Sequence, residues 1–177
     1  MMNDDTLDRC AEIEYKCWKE NLCPMLCVSE YIYYKTKESI KKDIEHTLNK
    51  EHLQPHILYS YILKKDIVDR EIITTEVLVG FAIIRNAESW RNEYVIDRLF
   101  IDPEFQGKKH ATALIKNIVD TFKDKPITVS VFEENRIAQH ILINNDFRKT
   151  ITKKSEIAYG KNVIPIKNTY YRIEERK

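Results

Sequence analysis

The residues whose types and order point most directly to chemistry run from Leu99 to Thr112, Leu-Phe-Ile-Asp-Pro-Glu-Phe-Gln-Gly-Lys-Lys-His-Ala-Thr. The spacing predicts a strand that ends at Asp102-Pro103, a turn, and a Gln106-Gly107 step leading directly into a helix. The first N–H groups of a helix have no intrahelical partner and lie at the positive end of its dipole. A helix opened by a glycine is therefore a ready anion site, suited to phosphate or pyrophosphate. Gly107 admits close approach of the backbone, and Lys108 and Lys109 add positive charge. Two carboxylates stand near the same strand, Glu93 and Asp97. By simple alternation Asp97 shares a face with Leu99 and Ile101, where it can take a proton from an attacking nucleophile, directly or through water. A salt bridge to Arg91 or Arg98 competes with that role. Glu133 and Glu134, at the end of the next strand, are lesser candidates.

Three positional patterns together resemble the GNAT superfamily of N-acetyltransferases. Gln106, Gly107 and Ala111 fit its Arg/Gln-Gly-x-Gly-x-Gly/Ala loop between a strand and a helix. Asn135-Arg136-Ile137-Ala138, followed by Asn145-Asp146-Phe147, resembles its Asn-x-x-Ala helix ending in Gly-Phe, and Val79-Gly80-Phe81 resembles a motif on the preceding strand. The match covers about residues 56–175. The resemblance implies an acetyl-CoA cosubstrate whose pyrophosphate sits on Gln106, Gly107, Lys108, Lys109, His110, Ala111 and Thr112. Its pantetheine arm would run beside Leu99, Phe100 and Ile101, between strands that splay apart, with Asn135 and Ala138 approaching from the next helix.

The implied activity is direct transfer of an acetyl group to a primary amine, on a small molecule or a protein, with the acceptor site built by the helical N-terminal region and the last hairpin. Tyr31, Ile32, Tyr33 and Tyr34 are candidates to line it. Lys109 stands where the family has its middle loop glycine, Asp146 where it has the glycine before Phe147, and Leu142 where it often has a tyrosine that protonates the leaving thiolate. Lys109 and Leu142 also suit an alternative, a catalytically degenerate acyl-CoA-binding or interaction module with the same fold.

The elements that must position these residues are legible in the apolar periodicity. Leu7, Ala11, Tyr15 and Trp18 mark a first helix, which Pro24 is expected to end. Thr36 caps a second, with Ile40, Ile44 and Leu48 inward. Strands follow over His56–Lys64 and Glu76–Arg85, joined by a charged connection over 65–71, and then over Tyr94–Ile101. Ala111, Leu114, Ile115, Ile118, Val119 and Phe122 form one stripe on a third helix. A strand over Ile127–Phe132 precedes a helix capped by Asn135, with Ile137, Ala138, Ile141 and Leu142 inward. Two strands, Phe147–Ile157 and Val163–Ile173, meet around Gly160. The expected fold is α/β (α+β): a mixed, mostly antiparallel sheet flanked by helices, in the order α-α-β-β-β-α-β-α-β-β. The 177 residues read as one domain, helical over 1–55 and carrying the sheet and acetyl-CoA-binding core over 56–175.

Composition bounds the rest. A net charge of +1 argues against a general nucleic-acid footprint. The longest apolar run, residues 77–84, is far short of a membrane span. Residues 1–30 hold three basic and seven acidic side chains, and residues 148–177 nine basic and three acidic, read as two solvated faces. Cys10, Cys17, Cys23 and Cys27 form no C-x-x-C pair and, with His46, His52 or His56, fit no standard zinc site. Free thiols, no bound metal and a cytoplasmic protein, monomeric or homodimeric, are expected.

Overall fold

The computed structural model describes residues 3–68, 71–88 and 92–175. The helical N-terminal region comprises α1 (Asp4–Cys17), a π-helical turn (Trp18–Leu22), the short α2 (Cys23–Met25), a 3-10 segment (Ser29–Tyr33), α3 (Lys37–Leu48) and a second 3-10 turn (Glu51–Leu53). Asn3 caps α1 and Thr36 caps α3, each accepting a backbone N–H three residues on. Pro24 does not end the first helical path. The preceding turn widens, so that Cys23 N donates to Trp18 O five residues back. The path then carries the proline inside α2 and stops where Cys27 turns left-handed, at φ 56°.

The sheet holds six strands in the order β1-β2-β3-β4-β6-β5: β1 (His56–Val68), β2 (Glu71–Asn86), β3 (Tyr94–Ile101), β4 (Ile127–Phe132), β5 (Arg148–Tyr159) and β6 (Asn162–Ile173). Every neighbouring pair is antiparallel except β3·β4. Helices α4 (His110–Thr121) and α5 (Arg136–Ile143) frame β4 in the chain. The mixed, helix-flanked sheet matches the expected class and order.

The long β2 is buried from Leu78 to Ile84 because it is covered on both faces. Phe81 and Ile83 pack with Leu7, Cys10, Ile13, Ile40 and Ile44 of α1 and α3. Ala82 and Ile84 pack on the other face with Leu114, Ile115, Ile118 and Val119 of α4. This explains why the longest apolar run reads as continuous rather than alternating. Gly80 is fixed by a close approach. A Cβ there would lie 2.3 Å from Ile101 Cδ1 and 2.9 Å from the Phe100 carbonyl. Gly80→Val is expected to cost about 2–3 kcal/mol, because the clash includes backbone that cannot give way. A shift of thermal midpoint under about 2 °C would contradict that packing.

Two boundaries differ from expectation. Within the charged stretch 65–71 expected as a connection, residues 65–68 and Glu71 are strand, with β1 and β2 paired out to Val68↔Glu71. Ile137 is 76% exposed rather than inward. Gln139 is buried in α5 instead, donating to Glu133 O and accepting from the Tyr171 hydroxyl at 3.0 Å.

Three of the four thiols are buried and only Cys27 is exposed. Burial pushes the Cys10 and Cys17 thiols up to about 12, so both stay protonated at neutral pH and react poorly. A thiol-reagent titration of the native protein near pH 8 is expected to count one fast-reacting group, and four after denaturation. Rapid native labelling of Cys17 would contradict the packing of α1 on the sheet.

Candidate active site

The parallel pair β3·β4 is joined only over Tyr94↔Ile127, Val95↔Thr128 and Ile96↔Val129. Beyond Ile96 each strand keeps its outer partner: β3 stays paired to β2 through Ile101, and β4 to β6 through Phe132. The two therefore part into a V whose arms are Asp97–Ile101 and Ser130–Phe132. The strands run parallel, so both C-terminal ends lie at the open mouth. The loop after β3 and the start of α5 after β4 emerge there together, as ligand-binding loops do at the carboxyl ends of parallel strands.

The loop after β3 is stiffly held. Asp102 is fully buried and takes Arg9 at 2.7 Å and Lys16 at 3.3 Å, tying it to α1, while its other oxygen accepts Glu104 N. Gln106 donates to Ile101 O at 2.9 Å and accepts from Asn21 of the π-helical turn at 3.2 Å. Cys17 Sγ also reaches Ile101 O. Gly107 and Lys109 are both left-handed, with φ of 76° and 66°. A Cβ on Gly107 would meet nothing within 4 Å, so the loop is open beside it. Lys109 is the N-cap of α4 and no side chain caps that helix, which leaves its first N–H groups for a ligand. The lysine at the family's glycine position thus keeps the left-handed backbone, at a cost of about 1 kcal/mol.

The expected cosubstrate contacts divide into backbone and side chain. Leu99, Phe100 and Ile101 form the β3 arm of the V. Gly107, Lys109, His110, Ala111 and Thr112 form the loop and first helical turn. Several side chains are committed elsewhere. Gln106 braces the loop, and Lys108 lies over Phe105 at 4.9 Å and reaches Glu104 O. His110 Nδ1 is 3.0 Å from Ser60 Oγ. Asn135 Oδ1 accepts Ala138 N, capping α5. An anion at this site would be held chiefly by main-chain N–H groups and Lys109. Leu142 is buried in the core.

The carboxylates separate. Glu93 is 5% exposed and accepts from Arg172 and Thr128. It precedes β3, at the closed end of the V. Asp97 sits at the point where the V opens, but not on the face expected. The β2·β3 register jumps from Ile83↔Arg98 to Ile84↔Ile96, so Asp97 is an extra, bulged residue. Leu99 and Ile101 pack toward α4, whereas Asp97 turns to Arg85 at 2.9 Å and Arg98 at 3.8 Å. Arg98 in turn donates to Glu14 of α1. Arg91, the other expected partner of Asp97, lies outside the described residues. Glu133 is engaged by Lys167 at 3.1 Å.

Glu14 was missed in the sequence, although it was visible there as an acid on the Leu7, Ala11, Trp18 stripe. It is 1% exposed and held by Arg98 and by Lys35 at 3.4 Å. Trp18, placed by the π-helical turn, was read only as core. It packs on Tyr31 and Phe132, and its cluster with Leu22, Cys23 and Val28 also meets Phe100, from the other arm of the V, and Ile157 and Ile164. The Tyr31 ring lies 5.1 Å from Trp18 and 5.5 Å from Tyr159, and Tyr34 lies 5.3 Å from Tyr159, so the β5–β6 tip rests on the segment after α2.

A helix-flanked mixed sheet, split between two parallel strands above a left-handed loop and a helix N-terminus, defines an acyltransferase-like fold. The sequence profile of the Acetyltransferase (GNAT) family matches residues 26–142, more than half of the chain, and the protein belongs to that family. No curated protein matches it significantly. Among solved structures, it is similar to ribosomal-protein-alanine N-acetyltransferase from Brucella melitensis, with TM-score 0.66 and 11% identity over 98% of this chain and 96% of that one. It is also similar to the Microcin C7 self-immunity acetyltransferase MccE, solved in complex with acetyl-CoA and AMP, with TM-score 0.62 and 14% identity over 94% and 88%. An N-acetyltransferase from Staphylococcus aureus Mu50 gives TM-score 0.59 and 12% identity over 98% and 94%. At these identities the likeness is one of fold. Among the described residues no helix is long and apolar enough to cross a membrane, and no group of three or more metal-ligating side chains is found.

Proposed function

We propose that the protein is an acetyl-CoA-dependent N-acetyltransferase that moves an acetyl group directly to a primary amine. The observation that carries this reading is the parting of β3 from β4 immediately after Ile96↔Val129. It leaves the β3 backbone without a sheet neighbour on one side, beside a loop built to take an anion. The pantetheine amides would pair along Leu99–Ile101, and the pyrophosphate would rest on residues 107–112. Family membership and the acetyl-CoA bound to MccE support the cosubstrate. Four free thiols support a reducing, cytoplasmic setting.

In this reading the thioester carbonyl sits at the apex of the V, next to Asp97. The neutral amine nitrogen attacks that carbon, a C–N bond forms, and the C–S bond breaks. Asp97 accepts the proton the nitrogen sheds, through water. The departing thiolate takes up a proton from solvent. A thiol pKa near 8.5 makes the free thiolate only about 2 kcal/mol uphill at pH 7, so the buried Leu142 at the usual acid position does not forbid turnover.

The test is release of free CoA thiol from acetyl-CoA in the presence of a panel of amines. Amine-dependent release, with the acetylated amine found by mass spectrometry, is expected. Tight acetyl-CoA binding with no release from any amine would favour the alternative, a binding module that kept the fold, which the lost acid position makes a coherent second reading.

A further inference from the structure

Among the described residues, the buried side-chain polar atoms left without a hydrogen-bond partner are Trp18 Nε1 and Arg98 Nε. Trp18 is 8% exposed, and its cluster bridges the two arms of the V through Phe100 and Phe132. A buried indole N–H without an acceptor is unfavourable, and this one belongs to a cluster that touches both arms of the V. The walls around it are aromatic and apolar: Tyr31, Phe132 at 6.0 Å, Ile157 and Ile164. The charges close by are Lys35, 5.0 Å over the indole ring, Arg98, and Glu14, which those two cations already hold, with Asp97 3.8 Å from Arg98 and itself held by Arg85.

We infer that Trp18 is a specificity-determining residue and that the acceptor is the α-amine of an aromatic or bulky apolar amino-acid amide or peptide. The inference rests on the acetyltransferase reading above. Three features converge on it. The apolar walls take the side chain. The carbonyl beside the α-amine accepts the Trp18 N–H. Three cations (Lys35, Arg98 and Arg85) against two acids (Glu14 and Asp97), each acid already paired, disfavour a polyamine, an aminoglycoside or a lysine-rich segment. The amine chemistry agrees. An α-amine with pKa near 8 is about 10% neutral at pH 7, whereas an alkyl amine near 10.4 is neutral on the order of 0.04% of the time. Asp97 takes the proton only as it leaves the attacking nitrogen, so the difference in the neutral fraction of the two amines remains. The balanced step is R–NH2 plus acetyl-S-CoA giving R–NH–CO–CH3 plus CoA thiol. The β5–β6 tip rests through Tyr159 on Tyr31 and Tyr34, beside the same walls.

The experiment compares phenylalaninamide, phenethylamine and spermidine as acceptors, with the full chain and its Trp18→Phe variant, which keeps a ring and removes only the N–H donor. Acetyl-CoA affinity is measured separately for both proteins. The expected result is kcat/KM for phenylalaninamide at least 100-fold above spermidine. Trp18→Phe should raise KM for phenylalaninamide about tenfold and shrink the preference for phenylalaninamide over phenethylamine by a similar factor, with any change in acetyl-CoA affinity accounted for separately. Lys35→Gln, which removes the cation over the indole ring and keeps the N–H donor, should improve spermidine turnover. Preference for spermidine, equal KM values in both proteins, or no acetylation of phenylalaninamide despite acetyl-CoA binding would overturn the inference. Failure to bind acetyl-CoA at all would overturn the underlying reading, and this inference with it.

Discussion

Gly107→Glu is expected to abolish acetyl-CoA binding while leaving the protein folded. At φ 76° a side chain costs about 1–2 kcal/mol of backbone strain. The space beside the Cα is open, so no packing is lost. The added carboxylate would instead stand at the mouth of α4, against the pyrophosphate and beside the N–H groups meant for it. A loss of at least 100-fold in affinity, about 2.7 kcal/mol or more, is expected by calorimetry, with a thermal midpoint only a few degrees lower. Gly107→Ala should show the strain alone and bind within about tenfold of the parent. Equal affinity in Gly107→Glu and the parent would mean that the anion does not sit on this loop.

Asp97→Asn is expected to lower kcat by about 10²–10³-fold with acetyl-CoA affinity unchanged, the scale of a lost general base. Its salt bridge to Arg85 joins groups that keep part of their exposure, with side chains 16% and 22% accessible. Its stability cost should therefore stay under about 1 kcal/mol. Turnover within threefold of the parent, together with a lowered thermal midpoint, would leave Asp97 as a structural partner of Arg85 only.

The sheet core and the strand–loop–helix around Gly107 were legible because their signals are local. Pro103 and Pro126 bound β3 and β4, and the Ala111–Phe122 stripe has a single period. Asn135 caps the helix it was expected to cap. The outer half of the β1–β2 ribbon was not legible. Residues such as Leu63, Ile67 and Ile72 are exposed there beside Lys64 and Asp66, so no buried face imposes an alternation.

The orientation of Asp97 was hidden for a different reason. A one-residue bulge turned Asp97 away from the face of Leu99 and Ile101, and no residue type announces such an insertion. The π-helical turn is likewise silent in sequence, yet it sets Trp18 across the V and Asn21 on Gln106. Glu14 was within reach, since an acid on an apolar helical stripe is an anomaly that asks for buried partners. Arg98 and Lys35 are those partners. At Lys109 the sequence posed the question of a left-handed lysine, and only the backbone answers it.

The most direct test of the central claim is a calorimetric titration of the wild-type protein with acetyl-CoA, alongside CoA and adenosine 3′,5′-bisphosphate. The split between β3 and β4 and the loop over residues 107–112 predict one site per chain. Acetyl-CoA and CoA should bind with Kd on the order of micromolar, and the bisphosphate, which lacks the pantetheine arm, more weakly at the same site. Absence of binding heat at millimolar acetyl-CoA would contradict the account, leaving the V and its loop without the cosubstrate they are argued to hold.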